Sequence, residues 1–592
     1  MEQFETVKSM IDNLRSEDPE ARLSSMRGIH LIATTLGPER TRDELLLYLT
    51  DYLDDNDEVL RVFANALGTM LPEVGGVEYT NSLLAPLEIL GSLDEVTVRD
   101  EAVTSLQLIG EQIFKPGTPL PDNKKKGATA RAQEDFIAML RRLGENMPQC
   151  RSTACALVSV VYPSADAVTK ADLMKLFLKL CEDDEILVRR AACIAMGKNL
   201  AGVLGPKGCS ELVPVLNAVS KDESDGVRLQ AVTTSASLLQ VLPETQHSAV
   251  LLAVRSLSSD SSWRVRYMTA DSLGDLAAAL SPPDVVKYAV PMFRSLCQDA
   301  EPEIRAAAVF NMANLLAACR DATGKKDILV TGTRLVSDDV SHVRMSLASA
   351  VLKSVAHVAK DLWGTTIVPA CTALLRDTEA DVRLALVSSF SSMGNTPEAR
   401  ELAPSLIPVV INLSSDPKWR VREVVVSQVP YVITSLGRSA DQVLQVCIER
   451  LTDRVATIRD AAVQSCCKLV AENGSAWAAS SLLPQVQNLV TDPNYLHRVV
   501  LCHLYAALAN VAGFDAATCK ASVWPQLVIL QQDAVPNVRL NVAKTVMALS
   551  RADKIPAKLS KPVLTKLSQD AEVDVKEAAT TVTPVKASLS KK

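Results

Sequence analysis

Asp416-Pro-Lys-Trp-Arg-Val-Arg422 sits between two amphipathic stretches. Upstream, Leu402, Leu406, Val409, Val410 and Leu413 recur at helical spacing. Downstream, Val421, Val424, Val425, Val429, Val432, Ile433 and Leu436 do the same, while Arg420, Glu423, Ser427 and Thr434 fall off that stripe. The segment therefore predicts a pair of helices joined by a turn. Asp-Pro-Lys is turn chemistry, and Asp416 is expected to cap the second helix.

The same phrase recurs along the whole chain: Asp, four variable residues, usually Val or Ile, then Arg. Numbered by that Arg or its substitute, the units fall at Arg22, Arg61, Arg99, Arg151, Arg189, Arg228, Arg266, Arg305, Arg344, Arg383, Arg422, Arg459, Arg498, Arg539 and Lys576. Thirteen of the fourteen spacings lie between 37 and 41 residues, and Arg99 to Arg151 is 52. Asp stands six residues before the Arg in all units except those with Ser16, Leu93 and Glu145 there. A Pro recurs fourteen residues before it, as at Pro214, Pro291, Pro369, Pro408, Pro484, Pro525 and Pro562, and is expected to kink the first helix. One such pair cannot cover its own apolar faces, but stacked neighbours can. The expected fold is all-α: an α–α superhelix, a solenoid of about fifteen units over residues 1–592. Asp and Arg on successive units are placed to form a lateral polar ladder. The long spacing is assigned to a loop inserted at 115–132, KPGTPLPDNKKKGATARA.

Composition supports a helical reading and narrows the function. The 592 residues are 48% hydrophobic, with 4% aromatics and 23 glycines. Lys and Arg total 62 against 69 Asp and Glu, a net charge of −7, which argues against a nucleic-acid or anionic-membrane binder. The longest uncharged stretch, 473–491, carries Asn, Gly, Pro, Gln and Ser and does not read as a membrane span. The N-terminus shows no apolar signal region. The thirteen cysteines, with no CxxC pair, read as buried reduced thiols of a cytoplasmic or nuclear protein.

No catalytic or cofactor signature emerges. His30, His247, His342, His357, His497 and His503 form no metal-ligand spacing, and Cys502-His503 lies in a helix-packing stretch. The phosphate-cradling and nucleophile-elbow motifs are missing. Asp54-Asp55 and Asp183-Asp184 fall at turns, as caps and solvated faces. Lys124–Lys126 reads as a solvated loop run. No metal, cofactor or catalytic residue is expected. Against that background Trp263-Arg264, Trp419-Arg420 and Tyr495 stand out. A turn outside the stacking stripe is an unusual place for an aromatic side chain, and exposed Trp beside Arg is typical of interface anchors.

A helix pair of about 39 residues with Pro in the first helix and D-x4-V-R opening the second resembles the HEAT repeat. DSSWRVRYM (260–268), DPKWRVRE (416–423), DPNYLHR (492–498), PNVRLNVAK (536–544) and DAEVDVK (570–576) resemble the scaffolding A subunits of type 2A serine/threonine protein phosphatases. LDEVTVRDEAV (93–103) and DDEILVRRAA (183–192) resemble their N-terminal half. The resemblance implies a non-catalytic horseshoe that directs dephosphorylation of phosphoproteins by holding two kinds of partner on its intra-repeat turns. Residues 1–320 would hold interchangeable regulatory B-type subunits, through Asp184, Arg190, Trp263 and Arg264. Residues 400–592 would hold the phosphatase catalytic subunit, through Trp419, Arg420, Tyr495 and Asn537. Two departures stand out: Ala456 where the family carries Tyr, and Ile186 where it carries Pro. The alternative is another HEAT binding module, a transport or cytoskeletal adaptor.

Overall fold

The computed structural model describes residues 2–51, 53–114, 127–390, 397–436 and 441–580, and among them every regular element is a helix. Two compact units divide the chain, Met1–Ile304 and Arg305–Lys592. Each unit is an α–α superhelical stack in which the second helix of one repeat packs on the second helix of the next. In the first unit Val96–Ile113 packs on Pro148–Val161, then Ile186–Ala195, then Asp225–Val241. In the second, Ala380–Ser389 packs on Trp419–Leu436, Ala456–Trp477, Tyr495–Leu508 and Pro536–Arg551 in turn. The aliphatic residue just before the repeat Arg anchors each stack: Val188, Val227, Val265, Val343, Val382 and Val538 are all wholly buried.

The first helices are bent, and the bend has a specific form. A five-residue π-helical turn precedes the Pro at Val285–Ala289, Trp363–Ile367, Ala478–Leu482 and Cys519–Val523; Pro291, Pro369, Pro484 and Pro525 then fall at the start of the α-helix that follows. The wider turn makes room for a Pro ring that would otherwise clash with the carbonyl one turn back and that offers no N–H to it.

The ladder anticipated from the spacing is present and has two arms per arginine. Arg266 donates from Nη1 to its own turn at Asp260 O (2.8 Å). It grips the next repeat's Asp299 with Nε (2.7 Å) and Nη2 (3.0 Å). Arg383 does the same with Asp377 O and with both oxygens of Asp416, the pair lying nearly out of water. Among the described residues eleven junctions carry this two-toothed pair. Asp55 and Asp183, expected as turn caps, are rungs to Arg22 and Arg151. The capping expectation for Asp416 needs correction. Its Oδ1 accepts from Lys418 N (2.8 Å), closing the turn ahead of the helix; Asp260 and Asp492 act likewise. The carboxylate thus braces the turn from within while the neighbouring guanidinium holds it from outside.

Three junctions lack the rung. Arg61 turns to Glu58 and Glu101 because Leu93 stands at the Asp position. Among the described residues Arg99 meets only backbone, Leu93 O (2.7 Å) and Asp94 O (3.2 Å); Glu145 stands at its Asp position and is exposed. Arg459 has Asp492 in register, yet Asp492 lies 3.1 Å from His497 Nδ1, and Arg459 Nε is buried with no partner.

The segment 115–132, assigned to a loop, needs correction at its end, where the helix Ala128–Glu145 begins; residues 115–126, with Lys124–Lys126, lie outside the described residues. All thirteen cysteines are free and buried. Burial pushes the Cys193, Cys371 and Cys502 thiols up to about 12. No described helix is long and apolar enough to cross a membrane. No group of three His, Cys, Asp or Glu among the described residues could hold a metal; His503, set aside as a ligand, lies 3.1 Å from Asn541 Oδ1.

Candidate docking ridge

Apart from the helix of repeat 2, which opens at Asp57, each second helix opens three residues before the ladder residue. A helical side chain leans over the turn before it, and the first helical residue has no such turn, so its side chain projects at the helix end. In several repeats that register position carries an exposed large side chain, although others, such as Val168 and Leu252, are exposed elsewhere. In the first unit Val96, Ile186 and Trp263 occupy it, 53%, 46% and 48% exposed; in the second Trp419, Tyr495 and Val573 do, at 41%, 39% and 62%. A stacked array repeats the position once per repeat, so the side chains form a ridge along each unit.

The structure places the anticipated contacts on this ridge or beside it. Trp263 and Trp419 start their helices, and Arg264 and Arg420, both exposed, lie over the indoles at 6.0 Å and 5.5 Å from the ring centroids. Each pair presents a flat aromatic face stiffened by a planar cation. Tyr495 opens Tyr495–Leu508. The Asn494 side chain before it accepts from Leu496 N (3.1 Å) and approaches His497 Nε2 (3.2 Å), fixing the turn that carries the phenol. Asn537 is exposed one place further on in its repeat, and its Oδ1 accepts from Asn541 Nδ2 (3.1 Å), leaving the amide N–H groups to face outward. Asp184 and Arg190 are exposed in repeat 5. Asp184 lends its carbonyl to Arg189 (2.9 Å), and its carboxylate stays at the surface.

Both departures lie on the ridge. Ala456 opens Ala456–Trp477 and is exposed, so the second unit has a gap between Trp419 and Tyr495. Ile186 supplies a large apolar side chain where a Pro ring would be smaller. Val96 and Val573 were missed, together with Met147, 62% exposed one residue earlier in repeat 4. An aliphatic residue at helical spacing reads as core; only its fixed offset from the Arg marks it as surface.

Comparison with known proteins follows the same lines. The chain is 36% identical over 391 residues to the beta isoform of the human 65 kDa regulatory A subunit of serine/threonine-protein phosphatase 2A, covering 65% of this chain and 63% of that one. It is 34% identical over 281 residues to the PP2A regulatory A subunit of Schizosaccharomyces pombe, covering 47% and 45%. This chain is similar in sequence to the phosphatase 2A regulatory A subunits. A Caenorhabditis elegans relative, "Probable serine/threonine-protein phosphatase PP2A regulatory subunit", is 38% identical over 247 residues, covering 41% and 39%. These relatives bear regulatory names, not catalytic ones. The chain spans between 39% and 63% of their length.

The family described as "PIK3R4-like, middle domain" also matches, over residues 286–528. Among solved structures the chain is similar in fold to Kap95p in its complex with RanGDP, with a TM-score of 0.58 at 13% identity, covering 97% of this chain and 75% of that one. It is similar likewise to importin beta, with a TM-score of 0.53 at 13% identity, covering 98% and 82%. These likenesses concern the fold alone.

Proposed function

We propose that this chain is a non-catalytic scaffold of a type 2A serine/threonine protein phosphatase. Residues 400–592 hold the catalytic subunit through Trp419, Arg420, Tyr495 and Asn537. Residues 1–320 hold interchangeable regulatory B-type subunits through Asp184, Arg190, Trp263 and Arg264. The complex is a heterotrimer, and the regulatory subunit selects the phosphoprotein. The tether raises the effective concentration of that substrate at the active site. The observation that carries this is the ridge: indole–guanidinium pairs at one register position, in a chain similar in sequence to regulatory A subunits. Rigid aromatic anchors beside Arg supply most of the affinity of such surfaces. The buried, reduced thiols fit a cytoplasmic and nuclear location.

Calorimetry of the full chain with a type 2A catalytic subunit tests the reading. Tight one-to-one binding is expected, lost in Trp419→Ala/Tyr495→Ala with helicity and melting nearly unchanged, because both side chains are substantially exposed. Wild-type affinity in the double variant displaces the site. An unbound, folded wild-type chain overturns the scaffold.

A further inference from the structure

The first unit holds a trough that adjoins the ridge at Val96 and Arg190 and runs away from it along the second helices. It has a volume of about 390 Å³ and lies across the second helices of repeats 3, 4 and 5. It exists because the middle helix, Pro148–Val161, carries small side chains where its neighbours carry large ones: Ser152, Thr153 and Ala156 form the floor, and Val96, Leu187 and Ile194 the walls. From Val96 to Gln107 it runs eleven residues along the helix, roughly 16 Å at 1.5 Å per residue.

Its charge is unlike that of the chain. Arg99, Arg190 and Lys198 line it against one acid, Asp100, in a protein of net charge −7. Arg99 is the decisive residue. It is only 5% exposed and, like Arg459 in the second unit, it is a ladder arginine with no carboxylate partner among the described residues: Nη1 is used on Leu93 O and Asp94 O, while the Nε and Nη2 edge of this trough-lining side chain takes no acid. At eleven junctions that same edge holds both oxygens of an Asp. Here the repeat offers exposed Glu145, which does not reach it. A guanidinium withdrawn from water keeps a strong preference for a bidentate carboxylate partner.

We propose that the trough seats a segment of a partner protein in which apolar side chains flank an Asp or Glu, and that the carboxylate completes the missing rung on Arg99. The walls take the apolar side chains, and Arg190 and Lys198 add attraction for the acid from the repeat 5 side. This placement rests on the proposed role of the N-terminal repeats as a partner-binding half, and it adds the chemistry of the bound segment.

The test selects a random displayed peptide library on the immobilised full chain, then titrates the enriched peptides, fluorescently labelled. The enriched sequences should carry an acid among Leu, Ile, Val or Met. Changing that acid to its amide should weaken binding at least about tenfold, as should Arg99→Gln. Arg99 also braces its own turn, so Ala156→Trp provides an independent check. It fills the trough floor at a half-buried position, leaves every charge in place, and should abolish peptide binding while melting stays at the wild-type value. Trp263→Ala should leave peptide binding intact while weakening a regulatory subunit docked on the ridge. Enriched peptides without acids, unchanged binding in Arg99→Gln or Ala156→Trp, or no enrichment each overturn the proposal. Failure of the catalytic-subunit titration would overturn the scaffold and leave these titrations standing.

Discussion

The two units lose their ladder rungs for different reasons. In the first, the missing rungs at Arg61 and Arg99 follow from composition: Leu93 and Glu145 occupy Asp positions. In the second, the acid at Arg459 is present but engaged, since His497, five residues along the same turn, lies against Asp492. A repeat pattern states which side chains come within reach of one another, and local competition decides which of them pair. At Arg61 the gap is filled by Glu58 and Glu101, while at Arg99 it leaves a guanidinium open to an outside carboxylate. The gap at Arg459 leaves a neighbour that could fill it if the competitor were removed.

The comparison can be broken most severely at an intact rung. Arg383→Ala strands Asp416, 6% exposed, and should cost about 3 kcal/mol or more, since a buried carboxylate loses its cation. Arg459→Ala, which strands no carboxylate, should cost about 1 kcal/mol or less. Urea unfolding with hydrogen exchange at both turns separates the two. Equal losses would mean that the Asp–Arg rungs contribute nothing beyond the arginine's hold on its own turn.

Acid is the next lever. Burial alone would raise Asp222, Asp260, Asp338, Asp377 and Asp533. The partner guanidinium, the N–H two residues on and the surrounding charges outweigh it and hold each carboxyl below its ordinary value. At Asp570 the Arg539 pair is the largest influence and acts downward. A depressed carboxyl contributes stability above its unfolded pKa, about 3.9, and loses it as pH falls through the folded value. Thermal melting should therefore stay level from neutrality to about pH 5 and drop below about pH 4. Arg344→Ala removes the linkage at Asp377 and should flatten the drop. A melting point that falls between pH 7 and pH 5 would point to histidines instead.

The ridge gap offers a gain where the other changes are losses. Ala456→Tyr restores an aromatic at the helix start between Trp419 and Tyr495. It should tighten the catalytic-subunit complex by about 1–2 kcal/mol, roughly tenfold in Kd by calorimetry. The smallest effect is expected from His497→Leu. Freed Asp492 then meets Arg459, total stability should move by less than about 1 kcal/mol, and a double-mutant cycle between Asp492 and Arg459 should change from no coupling to about 1 kcal/mol. An unchanged cycle would show that geometry, not His497, keeps the rung open.

Spacing made much of this legible. The D-x4-V-R phase placed every helix pair and paired Arg with Asp across repeats, because a stacked array converts sequence distance into contact. Aromatic residues at turns disclosed Trp263, Trp419 and Tyr495. What stayed hidden depended on fine local geometry. Asp416 braces the turn two residues ahead of the cap position, a distinction of one N–H that phase cannot resolve. The π-helical turn before Pro291, Pro369, Pro484 and Pro525 adds an offset invisible in an apolar stripe. The helix beginning at Ala128 has no side-chain cap, only Gly127. The trough exists because three neighbouring helices differ in side-chain size, a contrast that a repeat-by-repeat reading averages away.

The thirteen cysteines carry one further consequence. They are scattered through repeats 4, 5, 6, 8, 10 and 12 to 14, each sealed and each a poor nucleophile while its repeat stays closed. An alkylating reagent can reach them only when a particular repeat opens. The wild-type chain thus holds a built-in recorder of its own breathing. Mass spectrometry of the labelled thiols would give, cysteine by cysteine, the order in which the stack comes apart, with no probe added to disturb it.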